Sequence, residues 1–211
     1  MSVISENTEA DMRHRILVVA ERLFRQIGYQ KTTVADIAKV LQMSPANVYR
    51  FFDSKKAIHA GVARHLMGEV EQVAASIVAE SGPAAERLRK LLSTVHQMNR
   101  ERYVGDEKLH EMVAIAMEEN WNVCELHMQQ IVGAIGQVVS QGAASGEFEA
   151  PDIAVAAGCT CTAMMRFFHP QMIAQTINKD GPTIDQMIDF ILLSLGHRPG
   201  VAAASSPRTS A

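Results

Sequence analysis

Apolar residues recur at helical spacing along most of the chain, and no stretch alternates apolar and polar residues long enough to predict a strand. The first such pattern ends at Gly28, a residue type that commonly follows the last turn of a helix. It comprises Met12, Ile16, Ala20, Leu23, Phe24 and Ile27. Together the patterns predict helices at about 11–27, 33–41, 45–51, 54–80, 84–102, 107–119, 121–144, 152–176 and 183–196. An all-α fold of about nine helices is therefore expected.

Capping residues indicate where two short helices begin near the N-terminus. Thr33 is placed to cap the second helix, with Asp36 in the capping-box position that Glu or Gln normally holds. Ser44 is placed to cap the third helix, with Pro45 at its first position, where a missing N–H costs nothing. The segment Leu41–Met43 joins the two helices. A long helix followed by two short helices and a tight turn predicts a helix-turn-helix unit.

The predicted third helix has the residue types expected of a DNA-reading helix. Such a helix enters the major groove, about 12 Å wide, so its leading residues should be small and polar. Asn47 can pair bidentately with adenine, and Ala46 can contact a thymine methyl group. Donors on either side are expected to bind phosphates. Phe51 and Phe52 are expected to pack inward, because duplex-reading helices need no exposed aromatic platform. The predicted DNA-binding residues are Thr32, Thr33, Ser44, Pro45, Ala46, Asn47, Tyr49, Arg50 and Lys55.

Charge is divided unevenly along the chain. The whole sequence carries a formal net charge of −3, which by itself argues against a nucleic-acid partner. Residues 1–65 carry ten Lys and Arg against six Asp and Glu, a net of +4, whereas the rest carries ten against seventeen, a net of −7. Because the basic balance falls on the predicted helix-turn-helix, double-stranded DNA is the expected partner of that part.

Composition and cysteine usage narrow the class of protein further. Apolar residues make up 47% of the chain, and Met is frequent with 12 residues, a balance typical of a helical globular protein. Three cysteines without a signal peptide indicate a reducing cytoplasm. The longest nearly apolar run, Ile153 to Met165, is too short to span a bilayer. We therefore expect a cytoplasmic protein without a membrane partner.

Residues 12–60 resemble the DNA-binding domain of the TetR/AcrR family of bacterial repressors. The matching residues are Ala20 to Phe24, Gly28, Thr32, Thr33, Val34, Ile37, Ala38, Val48, Tyr49, Phe52 and Lys55. Weaker matches follow at 145–148, 154–157 and 190–195. The resemblance implies a homodimer of nine or so helices. In that family the first three helices bind DNA, the middle helices enclose a ligand pocket, and the last two form the dimer interface.

Domain organisation follows from these patterns. We expect a flexible N-terminus at 1–10, a helix-turn-helix DNA-binding domain at 11–55 and a ligand-binding and dimerisation domain at 56–197. The tail at 198–211 contains Ala, Ser and Pro in short runs and is expected to be disordered. The dimer is expected to form through the last two predicted helices, at 152–176 and 183–196.

The larger part of the chain carries a cluster of soft apolar residues that suits a small-molecule pocket. Methionine fills irregular space and adapts to variable ligands, although an ordinary Met-rich core would have the same composition. The family resemblance favours the pocket, with His96, Trp121 and His127 as the polar residues that orient a ligand. The predicted ligand-binding residues are His96, Met98, Met112, Met117, Trp121, Cys124, His127, Met128, Met164, Phe167 and Phe168.

No Ser/His/Asp order, Gly-rich phosphate loop or paired-acid motif predicts an enzyme, and no cofactor or metal is expected. The sequence therefore predicts a ligand-responsive repressor that binds a pseudo-palindromic operator as a homodimer. A small apolar or mildly polar effector would release it from DNA. One alternative is a metal- or thiol-sensing regulator that uses Cys124 and His127, three apart on one helix face, with His96 or His110. Another is a ligand-binding protein or enzyme on the same helical fold.

Overall fold

A computed structural model describes residues 2–119 and 121–197, except for the side chains of residues 2–7, 107, 110, 111, 117, 119 and 121. Within these residues the chain forms eleven helices and no strand. The helices are α1 Ser2–Ile27, α2 Val34–Val40, α3 Pro45–Tyr49, α4 Lys55–Val78, α5 Ala84–Tyr103, α6 Glu107–Glu119, α7 Trp121–Ser145, α8 Ile153–Ala163, α9 Met165–Phe168, α10 Pro170–Thr176 and α11 Ile184–Ser194. The all-α prediction is confirmed. The tail predicted at 198–211 lies outside the described residues.

The single helix predicted at 152–176 is wrong, because the structure divides this segment into α8, α9 and α10. His169 has an extended backbone, with φ −76° and ψ 123°, and it directly precedes Pro170. A residue before proline is pushed out of the α region, and proline suits the first position of a new helix. A second break falls at Met164, which ends α8. These breaks raise the number of helices from the expected nine or so to eleven.

The first helix begins at Ser2, well before the predicted start near residue 11. Residues 2–10, for which flexibility is expected, contain neither Gly nor Pro, so nothing in them stops the helix from extending. Thr8 to Asp11 are exposed, so this first part has no apolar stripe to reveal it. The helix ends as predicted at Gly28, whose φ of 91° is in the left-handed region.

The described chain packs as two compact units whose boundaries fall inside α4, α5 and α7. The first unit contains the described residues up to Glu71 together with Glu101–Met128, and the second contains Gln72–Arg100 and the described residues from Gln129 onward. These two units are defined by which residues pack together. The functional boundary that the sequence predicts between residues 55 and 56 is a different division and stays a prediction.

The first unit has a continuous apolar core that includes the residues predicted to face inward from the helix-turn-helix. Its buried members are Ile16, Ala20, Phe24, Tyr29, Val34, Ile37, Ala38, Val48, Phe52, Ile58, Val62, Leu66, Tyr103, Leu109, Met112 and Val113. His59 is also fully buried, and its Nε2 lies 3.0 Å from the carbonyl oxygen of Met112. A carbonyl only accepts hydrogen bonds, so Nε2 carries the proton and donates it.

The second unit is closed by contacts between the turn after α7 and the start of α5. A Cβ on Gly142 would lie 2.2 Å from the ring of Phe148, so only glycine allows this ring to pack so close to α7. The carboxylate of Glu147 accepts hydrogen bonds from the backbone N–H groups of Ala84 and Ala85, at 3.0 and 3.2 Å. Glu147 therefore satisfies two of the N–H groups that the first turn of α5 leaves unpaired. None of the described helices is long and apolar enough to cross a membrane.

Candidate DNA-binding surface and ligand-binding residues

The first helix of the predicted pair, α2, is held by the expected capping box. The hydroxyl oxygen of Thr33 accepts from the Asp36 N–H at 3.1 Å, and the Asp36 carboxylate accepts from the Thr33 N–H at 2.8 Å. The pKa of Asp36 is lowered below its ordinary value, mainly by the hydrogen bond from the Thr33 hydroxyl and next by the hydrogen bond from the Thr33 N–H. Asp36 thus performs the role that Glu or Gln usually has, and the predicted cap is confirmed.

The turn between α2 and α3 depends on a residue that the sequence pattern does not single out. Gln42 adopts a φ of 55°, the one left-handed conformation among the described residues other than glycine. The chain reverses here, and the Met43 N–H donates to the carbonyl of Ala38 at 3.0 Å. Ser44 then caps α3 by accepting from the Asn47 N–H at 3.2 Å, with Pro45 at the first helical position, as predicted. The entry to α3 is therefore closely constrained.

The exposed residues of α3 and its flanks form one surface, here called the α3 surface: Ser44, Pro45, Ala46, Asn47, Tyr49 and Arg50. Val48, in the middle of this run, is fully buried in the core and anchors the helix. Tyr49 is 48% exposed, which leaves much of its ring and hydroxyl accessible to a partner. Six of the nine predicted DNA-binding residues thus lie together on an exposed, mostly uncharged surface.

Arg50 contacts the residue proposed to read a base. Its Nη1 donates to the Oδ1 of Asn47 at 3.4 Å, a long hydrogen bond between exposed side chains. Bidentate pairing with adenine uses both the amide oxygen and the amide N–H of an asparagine. Arg50 therefore contacts the same amide oxygen that such a pairing would use.

Phe51 and Phe52 pack inward, as expected. Phe52 is 6% exposed, and the guanidinium of Arg13 on α1 lies 4.5 Å from the centre of its ring. A Cβ on Gly61 of α4 would lie 3.2 Å from the same ring. Phe51 is partly buried against the core, and its carbonyl accepts a hydrogen bond from Arg13. Both residues fix the exit of α3 against the helices before and after it.

The remaining predicted DNA contacts are differently placed. Thr32 is 1% exposed, and its hydroxyl donates to the carbonyl of Gly28 at 2.8 Å, so it presents no free donor. Thr33 is exposed, but its hydroxyl is bonded to Asp36. The ammonium of Lys55 donates to the Gln30 carbonyl at 3.1 Å and lies 4.3 Å from the ring centre of Tyr29. These internal contacts compete with the phosphate contacts that the sequence predicts for the three residues.

The predicted ligand-binding residues are distributed between the two units. The first unit holds Met112, which belongs to its core, with Cys124, His127 and Met128. The second unit holds His96, Met98, Met164, Phe167 and Phe168. Met128 is 40% exposed and Met164 is fully buried, so these methionines differ widely in their surroundings. The side chains of Met117 and Trp121 lie outside the described residues.

His127 contacts a carboxylate at a half-buried position. Its Nδ1 lies 2.9 Å from one carboxylate oxygen of Glu71, and the other oxygen of Glu71 accepts from Arg64 at 2.9 Å. Burial lowers the pKa of His127 despite the opposing effect of Glu71, and burial raises the pKa of the Cys124 thiol. Among the side chains that the structure describes, no group of three or more His, Cys, Asp or Glu could hold a metal ion. His110, considered above as a further ligand, has its side chain outside that set.

Two predicted ligand-binding residues of the second unit line one cavity. His96 and Phe167 are on its wall, and the cavity has a volume of about 300 Å³. The Nδ1 of His96 donates to the carbonyl of Phe167 at 2.8 Å, and the two rings meet edge to face at 5.6 Å. The sequence thus finds two residues of a cavity whose other walls come from α5, α9, α10, the α10–α11 connection and the start of α11, none of which it predicts to bind a ligand through these residues.

An apolar groove of about 390 Å³ runs between α8 and α11 in the second unit. Val155 on α8 is 60% exposed and Phe190 on α11 is 65% exposed, and both line the groove. The sequence predicts a dimer face on these helices that includes Ala156, Ala157, Met164, Met187, Ile191 and Leu195. Ala156, Ile191 and Leu195 line the groove, although Ile191 and Leu195 are largely buried, as are Ala157 and Met164. The predicted face therefore shares part of its residues with the groove, whose most exposed apolar side chains, Val155 and Phe190, it does not include.

Two family models match the chain. The model for bacterial regulatory proteins of the tetR family matches residues 16–62, and the model for the tetracyclin repressor-like C-terminal domain matches residues 84–187. The first match contains α2, α3 and the whole α3 surface.

Comparisons with individual proteins agree. The uncharacterised HTH-type transcriptional regulator YhgD of Bacillus subtilis is 24% identical over 122 residues, which cover 58% of this chain and 60% of YhgD. The negative regulator of the icaADBC biofilm operon, IcaR of Staphylococcus aureus, is 44% identical over 48 residues, 23% of this chain and 26% of IcaR. A transcriptional regulator from Saccharomonospora viridis, solved with choline, has a TM-score of 0.62 at 20% identity, covering 89% of this chain and 97% of that one.

Proposed function

Since the chain belongs to the TetR/AcrR family of bacterial transcriptional regulators, we propose that it binds a double-stranded DNA operator through α3 and represses transcription there. The α3 surface is the observation that carries this proposal. Four small or polar residues, Ser44 to Asn47, lead a short helix whose single buried residue, Val48, anchors it to the core. Such a helix can enter a major groove with its leading residues on the base edges.

Roles within the α3 surface follow from chemistry. Asn47 is proposed to read an adenine, and Ala46 to contact a thymine methyl group. Tyr49 and Arg50 are proposed to donate to phosphates beside the groove. Ser44 and Pro45 keep the tip of the helix narrow. Repression is favoured over activation because IcaR, which is 44% identical over 48 residues, is a negative regulator.

We also propose that the protein is a cytoplasmic homodimer. Large apolar side chains on α8 and α11 are exposed in the single chain, which is unfavourable in water unless a partner covers them. A second copy of the chain can cover this face about a two-fold axis. A dimer would place two recognition helices about 34–36 Å apart, one turn of DNA. Phe190→Lys should then yield a monomer in light scattering, and an unchanged dimer would contradict this interface.

A small-molecule effector is proposed to control DNA binding. The S. viridis regulator binds choline, a small molecule, on a similar fold. An effector acts by binding better to a state that fits the operator poorly, and about a hundredfold preference corresponds to about 3 kcal/mol of coupling. A thiol sensor at Cys124 is not favoured, because burial raises the pKa of that thiol and so reduces its reactive thiolate form.

Binding of purified protein to the DNA upstream of its own gene tests the main proposal. We expect sequence-selective binding whose affinity falls with salt concentration, because phosphate contacts release counterions. A scrambled fragment of equal length is the control. Equal affinity for both fragments, or no binding to either, would reject the proposal.

A further inference from the structure

The cavity that His96 and Phe167 line in the second unit is unusually basic. Arg100 of α5, Arg166 of α9 and Lys179 of the α10–α11 connection also line it, and we call it the Arg166 cleft. Its described lining contains no Asp or Glu. Asp180 and Asp185 are adjacent in sequence to this lining, but neither of them lines the cleft. Three cations therefore share a space of about 300 Å³.

These cations differ from the other positively charged residues in the later part of the chain. Between residues 66 and 197 five Lys and Arg outside the cleft are each bonded to a carboxylate, an amide or a main-chain carbonyl. They are Arg87, Arg89, Lys90, Arg102 and Lys108. The side chains of Arg100 and Lys179, in contrast, are exposed and make no hydrogen bond or ion pair with the residues that the structure describes. The part of the chain with the more acidic balance thus leaves its unpaired cations at one cavity.

Arg166 is held in place by the connection before α11. Its Nη2 donates to the carbonyl of Lys179 at 3.3 Å. A Cβ on Gly181 would lie 2.4 Å from its Nη1 and 2.8 Å from its Cζ, so the guanidinium occupies the space that any side chain at position 181 would need. A planar donor group fixed in this way is well suited to bind an oxyanion.

Part of the remaining wall of the cleft is apolar. Phe167 and Ile173 are 7% and 4% exposed and form part of its wall. The hydrogen bond to the Phe167 carbonyl keeps the proton of His96 on Nδ1, so a neutral His96 offers Nε2 as an acceptor. A fully polar ligand such as free phosphate would leave the apolar wall uncovered. The volume is at the lower end of the range for small-molecule sites, about 300–1,000 Å³.

We propose that the Arg166 cleft binds a small amphipathic anion, whose carboxylate or phosphate monoester group is held by Arg100, Arg166 and Lys179 and whose apolar body covers Phe167 and Ile173. The site itself stands independently of DNA binding. We further propose that this anion is the effector of DNA binding, and that step rests on the proposed function. An anionic effector would also differ from the apolar or mildly polar one that the sequence suggests.

Calorimetric titration of the full chain without DNA tests the site. The probes are butanoate, hexanoate and octanoate, with phenyl phosphate as the phosphate monoester. Hexan-1-ol and inorganic phosphate are the controls that lack the charge or the apolar body. We expect one anion per chain, bound at least about tenfold more tightly than either control. Comparable binding of hexan-1-ol and hexanoate, or no binding of any anion, would overturn the proposal. The relative affinities of octanoate and phenyl phosphate distinguish the two head groups.

Binding by substituted variants distinguishes a specific anion site from general attraction of anions to a basic surface. Arg166→Gln and Arg100→Gln should each weaken hexanoate binding by about tenfold or more, because each removes a charged donor. Lys90→Gln, on α5 and paired with Glu80, removes the same charge outside the cleft and should leave binding unchanged. Equal losses in all three variants would overturn the proposal.

Gly181→Ala keeps every charge and tests the position of Arg166. The added methyl group requires the guanidinium to move, so binding should weaken about as much as in Arg166→Gln, while thermal melts show that the variant is folded. Unchanged binding in a folded Gly181→Ala variant would refute the arrangement described for Arg166. Because these titrations contain no DNA, their failure would leave operator binding intact, and failure of operator binding would leave the anion site intact.

Discussion

Positively charged side chains have different partners near α3 and in the Arg166 cleft. Near α3, Arg13 lies over the ring of Phe52, and Lys55 lies over the ring of Tyr29. Each also donates to a main-chain carbonyl, so the protein itself uses these charges to hold its helices together. In the cleft, Arg100 makes no such contact with the described residues.

This difference suggests no simple link between net charge and the residues proposed to bind. The basic balance of residues 1–65 falls on the part proposed to bind DNA, but several of its cations stabilise the fold. The α3 surface itself is mostly uncharged. The later part has an acidic balance, yet its unpaired cations meet at one cavity. A cation without a partner in its own chain is the more informative signal for a ligand.

The largest expected effect concerns base reading by an uncharged side chain. Asn47→Ala should weaken binding by about 1–3 kcal/mol at operators that carry the correct base, because a bidentate pair with adenine is lost. Gel-shift titrations of the operator and of operators with single-base changes measure this loss. On sites where that base is already changed, the variant and the wild-type protein should bind alike. An equal loss on every sequence would mean that Asn47 does not read a base.

The comparison of cations leads to a paired prediction on stability. Arg13→Ala should lower the free energy of unfolding by about 1–2 kcal/mol, since it removes a cation–π contact and a charged donor to the Phe51 carbonyl. Arg100→Ala should change it by no more than about 0.5 kcal/mol, as is usual for a surface residue without such contacts. Urea denaturation followed by circular dichroism measures both values. A similar loss in the two variants would mean that cations with a partner in the chain contribute no more to stability than cations without one.

A substitution of Lys55 tests whether this cation contacts phosphate or stabilises the fold. The sequence predicts that Lys55→Ala reduces the slope of log affinity against log salt concentration by about one, as loss of one phosphate contact would. The structure instead favours a loss of stability of about 1 kcal/mol with little change of slope, because the ammonium is engaged with Tyr29 and Gln30. Lys56→Ala, an exposed neighbour, is the control for stability. A slope reduced by a full unit would show that Lys55 contacts phosphate after all.

Features that depend on neighbouring residues could be predicted from the sequence. The cap at Thr33 follows from Asp36 three positions on and the cap at Ser44 from the adjacent Pro45, and the structure confirms both. The inward packing of Phe52 follows from the absence of any need for an exposed aromatic residue in a duplex-reading helix. Pro170 is a local signal for the break after His169, but the long apolar run around it favours a single helix in the sequence-based prediction.

Contacts between distant residues could not be predicted in this way. The partner of Arg13 is 38 positions away and that of Lys55 is 25 positions away, so only the folded chain decides which cations are already engaged. The proposed ligand-binding residues share a soft apolar character but divide between two units, because residue type alone carries no information on packing. The Arg166 cleft depends on Gly181, whose role is visible only beside the guanidinium.

The smallest expected effect concerns Glu147, whose charged side chain accepts hydrogen bonds within the second unit. Burial tends to raise the pKa of Glu147, but hydrogen bonds from Ala84, Ala85 and Ser145 lower it overall. A lowered pKa means that the ionised form stabilises the fold above the ordinary Glu pKa, about 4.3, and that this stability is lost as the pH falls through the folded-state value. Glu147→Gln should therefore cost about 0.5 kcal/mol at pH 7, since the partly exposed charge is screened by solvent.

The pH dependence of this cost distinguishes a charge effect from a change of shape. The difference in thermal stability between wild type and Glu147→Gln should shrink as the pH falls below about 4.3, because protonation of Glu147 removes the same charge. Glu149→Gln, two positions along the chain and exposed, makes the same substitution without hydrogen bonds from α5. It should show no such convergence. A difference for Glu147→Gln that persists unchanged at low pH would mean that packing, and not the bound charge, closes the second unit at this point.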